Sequence, residues 1–241
     1  MHTSPSRGFA LGIAIVLGAC QGAQLATTER VTPGELATPE LVVIAQSDDG
    51  PPGSDAAPRF QLAFRSSSSG EERAIEGEAL AYAPFRSGVA LIEANAQRPL
   101  VLVTPDGARS VLARHAGAPP VRGADGTLYY VARYGREVEV HALQVEGQDR
   151  VLAQGLGEAG LLAPRADGSL VFVGARNGGV AGIWHATANA VRCLTNCTLE
   201  AGRPWPNHEL VPGTREALLS AFERTQPIVT PSTNDALRGK P

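Results

Sequence analysis

The chain has 241 residues, 43% of them hydrophobic and 19% charged, with 21 basic against 24 acidic side chains and a formal net charge of -3. That length and apolar content suffice for a folded core. The slight acidic excess, with arginines scattered rather than clustered and Lys240 as the sole lysine, disfavours nucleic acid and anionic membrane surfaces as partners.

The first segment has the three parts of a secretory signal. Arg7 and the amino terminus supply positive charge, Phe9 to Leu17 form an apolar run, and Gly18-Ala19 supply the small residues that a signal peptidase needs. An apolar run of about ten residues is too short for a membrane span, which takes about 20. Residues 1–19 are therefore read as a leader. Its removal takes away Arg7 and no acid, so the net charge moves from -3 to -4.

A cysteine follows the small pair directly. Leu17-Gly18-Ala19-Cys20 resembles the lipobox of bacterial lipoproteins. The resemblance implies a diacylglyceryl group on the Cys20 thiol, cleavage before Cys20 and acylation of the new amino terminus. The alternative is a conventional signal with a cysteine at its cleavage point. A single acyl chain holds a protein only marginally, at about 0.8 kcal/mol per buried methylene, so several chains on one residue make a stable anchor. In that family an aspartate after the cysteine favours the inner membrane of Gram-negative bacteria. Gln21 stands there instead, which points to the periplasmic side of the outer membrane.

Residues 20–40 mix Thr, Pro, Gly and Ala without a sustained apolar period and read as lipid anchor and tether. From 41 to 241 the chain repeats at a period near 40. Apolar runs begin at Leu41, Val89, Leu128, Leu170 and Ala217, spaced 48, 39, 42 and 47 residues apart. A second strand is expected after each, at Phe60 to Phe64, Leu100 to Val103, Val138 to Leu143, Ile183 to Ala186 and Ile228-Val229. A third is expected near Arg73 to Ile75, Ser110 to Ala113, Arg150 to Ala153, Ala190 to Leu194 and, more poorly, Ala236-Leu237. Between the first two strands, Ser47 to Pro58 reads as a long hairpin loop.

Self-similarity at this period marks a propeller or solenoid. Consecutively apolar runs such as Leu170 to Val173 suit strands covered on both faces. Asp125-Gly126 and Asp167-Gly168 stand 42 residues apart before matching strands, and Asp-Gly suits a tight turn. The fold expected is all-β, a propeller-like array of about five four-stranded antiparallel blades, with an irregular β-sandwich as the alternative. Thr214 to Arg224 could be a helix, but its register with the repeat argues for a strand.

Pro164 to Phe172, followed by Gly182-Ile183-Trp184 and Cys193-Leu194-Thr195, resembles the repeat of TolB-type β-propellers. In that repeat a Pro-Asp-Gly turn precedes a strand, an Ile-Tyr/Trp strand follows and a Leu-Thr pair closes the unit. The segment from Pro120 to Leu152 keeps Asp125-Gly126 and the apolar strands but not the Leu-Thr. The likeness covers about residues 79 to 205, and its motifs are structural.

Cys193 and Cys197 stand four apart in Cys-Leu-Thr-Asn-Cys, and in an oxidising periplasm they are expected to form a disulfide. A straight strand would hold their α-carbons about 13 Å apart, so the chain must turn between them, and Asn196 suits the turn. His141 and His185 fall on corresponding strands 44 residues apart. At similar depths near one face they would make a metal or acid/base pair; the plainer reading is two half-exposed strand positions. His115 and His208 lie near expected loops. The serine run Ser66 to Ser69 lacks a Gly-x-Ser-x-Gly elbow and reads as a hairpin tip. Aromatic residues are only 5% of the chain, fewer than a sugar-stacking site recruits; Trp205 between Pro204 and Pro206 is the best candidate for an exposed anchor, and the plainer reading is that it packs where one blade passes to the next.

No nucleotide, zinc or calcium motif is present, and no catalytic residue, metal or cofactor is assigned. The function expected is a lipid-anchored envelope lipoprotein whose array binds or scaffolds another envelope protein without catalysis. A periplasmic propeller hydrolase or lyase is the alternative.

Overall fold

The computed structural model describes residues 39–47, 58–197 and 211–226. The leader, Cys20, the tether up to residue 38, Trp205, His208 and the strands expected at Ile228-Val229 and Ala236-Leu237 lie outside the described residues.

The described chain is all-β apart from one helix. Fourteen strands run in order: β1 Glu40–Ser47, β2 Arg59–Arg65, β3 Glu72–Ala74, β4 Ala79–Phe85, β5 Gly88–Glu93, β6 Leu100–Val103, β7 Arg109–Ala113, β8 Ala116–Arg122, β9 Leu128–Tyr134, β10 Glu137–Leu143, β11 Asp149–Pro164, β12 Leu170–Arg176, β13 Gly182–Ala186 and β14 Val191–Cys193. Helix α1 spans Arg215–Thr225. All pairing is antiparallel, in two seven-stranded sheets. One runs β1-β2-β4-β5-β6-β7 with β3 on β2, and the other runs from β8 to β14 in sequence order.

Within those sheets the described residues form four units packed face to face. Unit 1 is β1 to β3, unit 2 is β4 to β7, unit 3 is β8 to β10 with the first half of β11, and unit 4 is the second half of β11 with β12 to β14. The 16-residue β11 serves two units: Asp149 to Leu156 pairs with β10, and Leu156 to Pro164 pairs with β12. Gly155 at φ 70 and Leu161 at φ 46 bend it, and register shifts flank both bends.

Side chains alternate across each strand, and on the central strands β5, β9 and β12 both faces are largely buried. On β9, Tyr129 and Val131 pack with Leu170, Phe172 and Trp184 of unit 4. Leu128, Tyr130 and Ala132 on the same strand pack with Ala83, Phe85, Ala90 and Ile92 of unit 2. On β5, Val89 and Leu91 turn instead to Leu62 and Phe64 of unit 1. Burying each such Val, Leu or Phe contributes about 1.5–3 kcal/mol, which is why these runs are apolar at consecutive positions.

The array has two different ends. The outward-facing positions of β2 and β3 carry exposed Arg59, Gln61, Arg65 and Glu72 beside a buried Ala63, with Arg65 and Glu72 bridged at 2.6 Å. A charged face needs no cover and ends a stack. The outer face of unit 4 is apolar, with Ala163, Val171 and Ile183, and is covered by Leu218, Ala221 and Phe222 of α1.

That helix corrects the expected fifth unit: Ala217 to Ser220 is helical, not the first strand of another blade. The 218/221/222 spacing of its buried residues follows the helical period. Thr214 caps it by accepting a hydrogen bond from the Ala217 N–H at 3.2 Å, and Glu216 and Arg224 lie in its first and last turns.

A second correction concerns strand order. The apolar runs on β5, β9 and β12 are the second strands of their units. The first positions belong to β4, β8 and the end of β11, and β8 packs between the other two. Their sequences, Ala-Leu-Ala-Tyr-Ala-Pro-Phe, Ala-Gly-Ala-Pro-Pro-Val-Arg and Gly-Glu-Ala-Gly-Leu-Leu-Ala-Pro, are rich in residues depleted from strands. Pro119 and Pro120 are tolerated because β8 is a sheet edge with a bulge at that point, between Ala118 and Val121. The turns at Gly126 (φ 83) and Gly168 (φ 74) hold as expected. In them Asp125 accepts from the Thr127 N–H and hydroxyl, and Asp167 from those of Ser169.

Candidate functional site

His141 and His185 do lie on corresponding strands, β10 and β13, but one residue out of step. His141 stands opposite Tyr130 on β9. The matching pair of unit 4 is Trp184 opposite Phe172, and His185 is the next residue along. A one-residue offset turns a side chain to the other face of the sheet. His141 therefore faces unit 2, whereas His185 faces away from unit 3, beneath α1. The structure does not bring them together.

His141 sits in a polar cluster between units 2 and 3. Its ring stacks on Tyr130, with centroids 4.7 Å apart and planes 15° from parallel. Its Nδ1 lies 3.2 Å from Asp149 Oδ2, and its Nε2 lies 3.2 Å from Glu139 Oε2. The Tyr130 hydroxyl donates to Asp149 Oδ2 at 2.6 Å. Burial, then the bond to Asp149, push the Tyr130 hydroxyl far above its ordinary range, so it remains a protonated donor. Both ring nitrogens are faced by the chain's own carboxylates, so neither is open to an outside substrate. The cluster is arranged to lock two strands and a turn together.

His185 is placed differently. Its ring lies 4.8 Å from that of Phe222 on α1, and its buried Nε2 has no hydrogen-bond partner. The Arg165 guanidinium lies over the same Phe222 ring, 4.7 Å from its centroid. Burial first, and then Arg165, push the His185 imidazole below its ordinary value, with Asp167 opposing and Arg192 adding to the fall.

The cysteine pair lies at the edge of unit 4. The Cys193 and Cys197 sulfurs are 2.16 Å apart and the α-carbons 5.6 Å apart. The turn between them rests on Asn196 in the left-handed region at φ 57. No group of three or more His, Cys, Asp and Glu side chains among the described residues could hold a metal ion. Recesses among the described residues include two on the sheet surfaces. One, of about 280 Å³, lies between β11, β12 and the approach to α1, lined by Glu158, Leu161, Val173 and Pro212. The other, of about 230 Å³, is lined by Arg73, Glu76, Val103 and Arg109. Neither includes His141 or His185.

The partnership of Tyr130 with His141 was available in the sequence. A two-residue turn at Gly135-Arg136 pairs Tyr134 with Glu137, and counting back pairs 130 with 141. Nothing local signalled Asp149, which arrives through the next hairpin.

No protein-family model and no curated protein matches the chain. A solved structure of similar shape is the crystal structure of Porphyromonas gingivalis dipeptidyl peptidase 4, at 11% identity and a TM-score of 0.42. The match covers 57% of this chain and 23% of that one. The chain thus corresponds to a minor part of that protein's length, and the likeness carries no argument about function.

Proposed function

We propose that the protein is a bacterial lipoprotein, held by lipid on Cys20 at the periplasmic side of the outer membrane, whose propeller-like array binds another envelope protein without catalysing a reaction on it. The observation that carries the reading is Leu17-Gly18-Ala19-Cys20 at the end of a short apolar run behind Arg7. The TolB-like character of the repeat belongs to the same proposal. It is supported by the Asp167-Gly168 turn ahead of β12 and by Ile183-Trp184 on β13.

The binding reading is favoured over the catalytic one by what the histidines do. His141 is occupied on both nitrogens by Glu139 and Asp149, and His185 lies under α1. A tethered array gains from surface concentration, because weak contacts become effective when both partners are confined. The test is affinity capture of the full-length protein from detergent-solubilised envelopes. One stoichiometric envelope protein, retained by both His141→Ala and His185→Ala variants, is the result expected. A metal-dependent hydrolytic activity abolished by either substitution would overturn it in favour of the enzyme.

A further inference from the structure

We propose that α1 is an acid-released cap on the terminal face of the array, held while the His185 imidazole is neutral and let go when that ring takes up a proton. The inference stands independently of the lipid anchor and of any binding partner.

Among the described residues, the apolar faces between units 1 and 2, 2 and 3, and 3 and 4 are each covered by sheet. The outer face of unit 4 is covered instead by an 11-residue helix that contributes only Leu218, Ala221 and Phe222 as buried side chains. Among the described residues this cover is small, and small docked elements open at the low end of a protein's stability range.

His185 lies under this cover with Nε2 buried and unpartnered. A neutral imidazole can keep an unshared lone pair there at modest cost, whereas an imidazolium makes Nε2 a charged donor with nothing to accept from it. The charged groups that bear on the ring are Arg165 and Asp167 from the turn before β12, and Arg192, its partner on β14; α1 presents the Phe222 ring. Asp167 is already engaged by Arg165 at 2.7 Å and by the Ser169 hydroxyl, so the two arginines leave a new positive charge without a free counter-ion. In the imidazolium Nε2 carries a proton, and with that atom buried against the helix it gains a water acceptor when the helix lifts.

The direction of the His185 shift agrees. Its docked value lies below the ordinary 6.5. The contribution to docking is therefore complete above 6.5 and is lost as pH falls from there through the depressed value.

The test is amide hydrogen exchange on the full-length protein at about pH 7.5 and about pH 5, expressed as protection factors so that intrinsic rates cancel. Protection across Leu218 to Phe222 should fall several-fold at the lower pH while Leu128 to Val131 on β9 keeps its own. In His185→Leu the helix should be equally protected at both. Should that variant fail to fold, the ring can be titrated by NMR in the unsubstituted protein. Its midpoint should lie below 6.5 and rise toward it in Phe222→Ala. Equal helix protection at both pH values, a pH effect undiminished in His185→Leu, or a midpoint indifferent to Phe222→Ala would each overturn the proposal.

Discussion

Tyr130 and His141 stack face to face, with centroids 4.7 Å apart, at the position where the following unit stacks Phe172 on Trp184 at 6.2 Å. One repeat position thus carries an apolar aromatic pair in unit 4 and a polar one in unit 3. The polar pair is kept inside by carboxylates: the Tyr130 hydroxyl and His141 Nδ1 both reach Asp149.

The Tyr130 hydroxyl bond should be measurable by a double-mutant cycle. Asp149 is 41% exposed, so water can replace part of what it supplies. Tyr130→Phe is expected to cost about 1.5 kcal/mol in the parent, the low end for a bond to a charged group, and close to nothing in Asp149→Ala. Urea denaturation checks both. Equal costs in the two backgrounds would mean that the bond contributes nothing.

Trp184 fills the facing position in unit 4 and donates from Nε1 to the buried Gly174 carbonyl at 2.9 Å. Trp184→Phe should cost about 1–3 kcal/mol, because it keeps most of the ring but strands that carbonyl. Trp184→Ala should cost about 3–5 kcal/mol through the cavity it leaves. The order of the two denaturation midpoints is the informative result, and a harmless Trp184→Phe would contradict this account of the bond.

Two glycines make a matched pair. A Cβ on Gly182 would lie 2.1 Å from the Thr195 carbonyl oxygen, a backbone atom that cannot swing aside. Gly182→Ala is expected to destabilise by about 1–3 kcal/mol, the usual cost of overpacking. Gly213 has nothing within 4 Å and does not lie at positive φ, so Gly213→Ala should fall within about 0.5 kcal/mol of the parent. Thermal unfolding of both variants separates the close approach from the mere loss of glycine.

The Cys193–Cys197 bridge closes a short loop and should contribute only about 2 kcal/mol. The oxidised mature protein is expected to show neither thiol to a thiol reagent. Reduction should loosen β14 and the turn at Asn196 while leaving β9 protected. Two titratable thiols before reduction would remove the bridge from the account.

Much of this architecture could be read from the residues. Consecutive apolar runs at β5, β9 and β12 announce strands buried on both faces, and Asp125-Gly126 and Asp167-Gly168 announce the turns ahead of two of them. The first strands escaped because β4, β8 and the end of β11 hold their places by neighbours on both sides rather than by β-propensity. Gly117 on β8, where a Cβ would meet the Val131 side chain at 2.5 Å, shows that close packing selects small residues there. The helix falls in register with the repeat, which points to a strand, whereas its cap at Thr214 and its 218/221/222 stripe are the local signals that decide for a helix. His141 was legible as a pair with Tyr130 through hairpin counting. Its burial between Glu139 and Asp149 was not, since Asp149 depends on where the next hairpin turns. The opposite facing of His185 follows from a single residue of register, which spacing alone does not resolve.

The central claim is that the chain is held in the envelope through Cys20, and intact mass spectrometry of the protein purified from membranes tests it most directly. The account predicts a mature chain that begins at Cys20 and carries several acyl chains, with Cys20→Ala giving an unlipidated protein. A mature amino terminus elsewhere, or an unmodified Cys20 in membrane-purified protein, would contradict it.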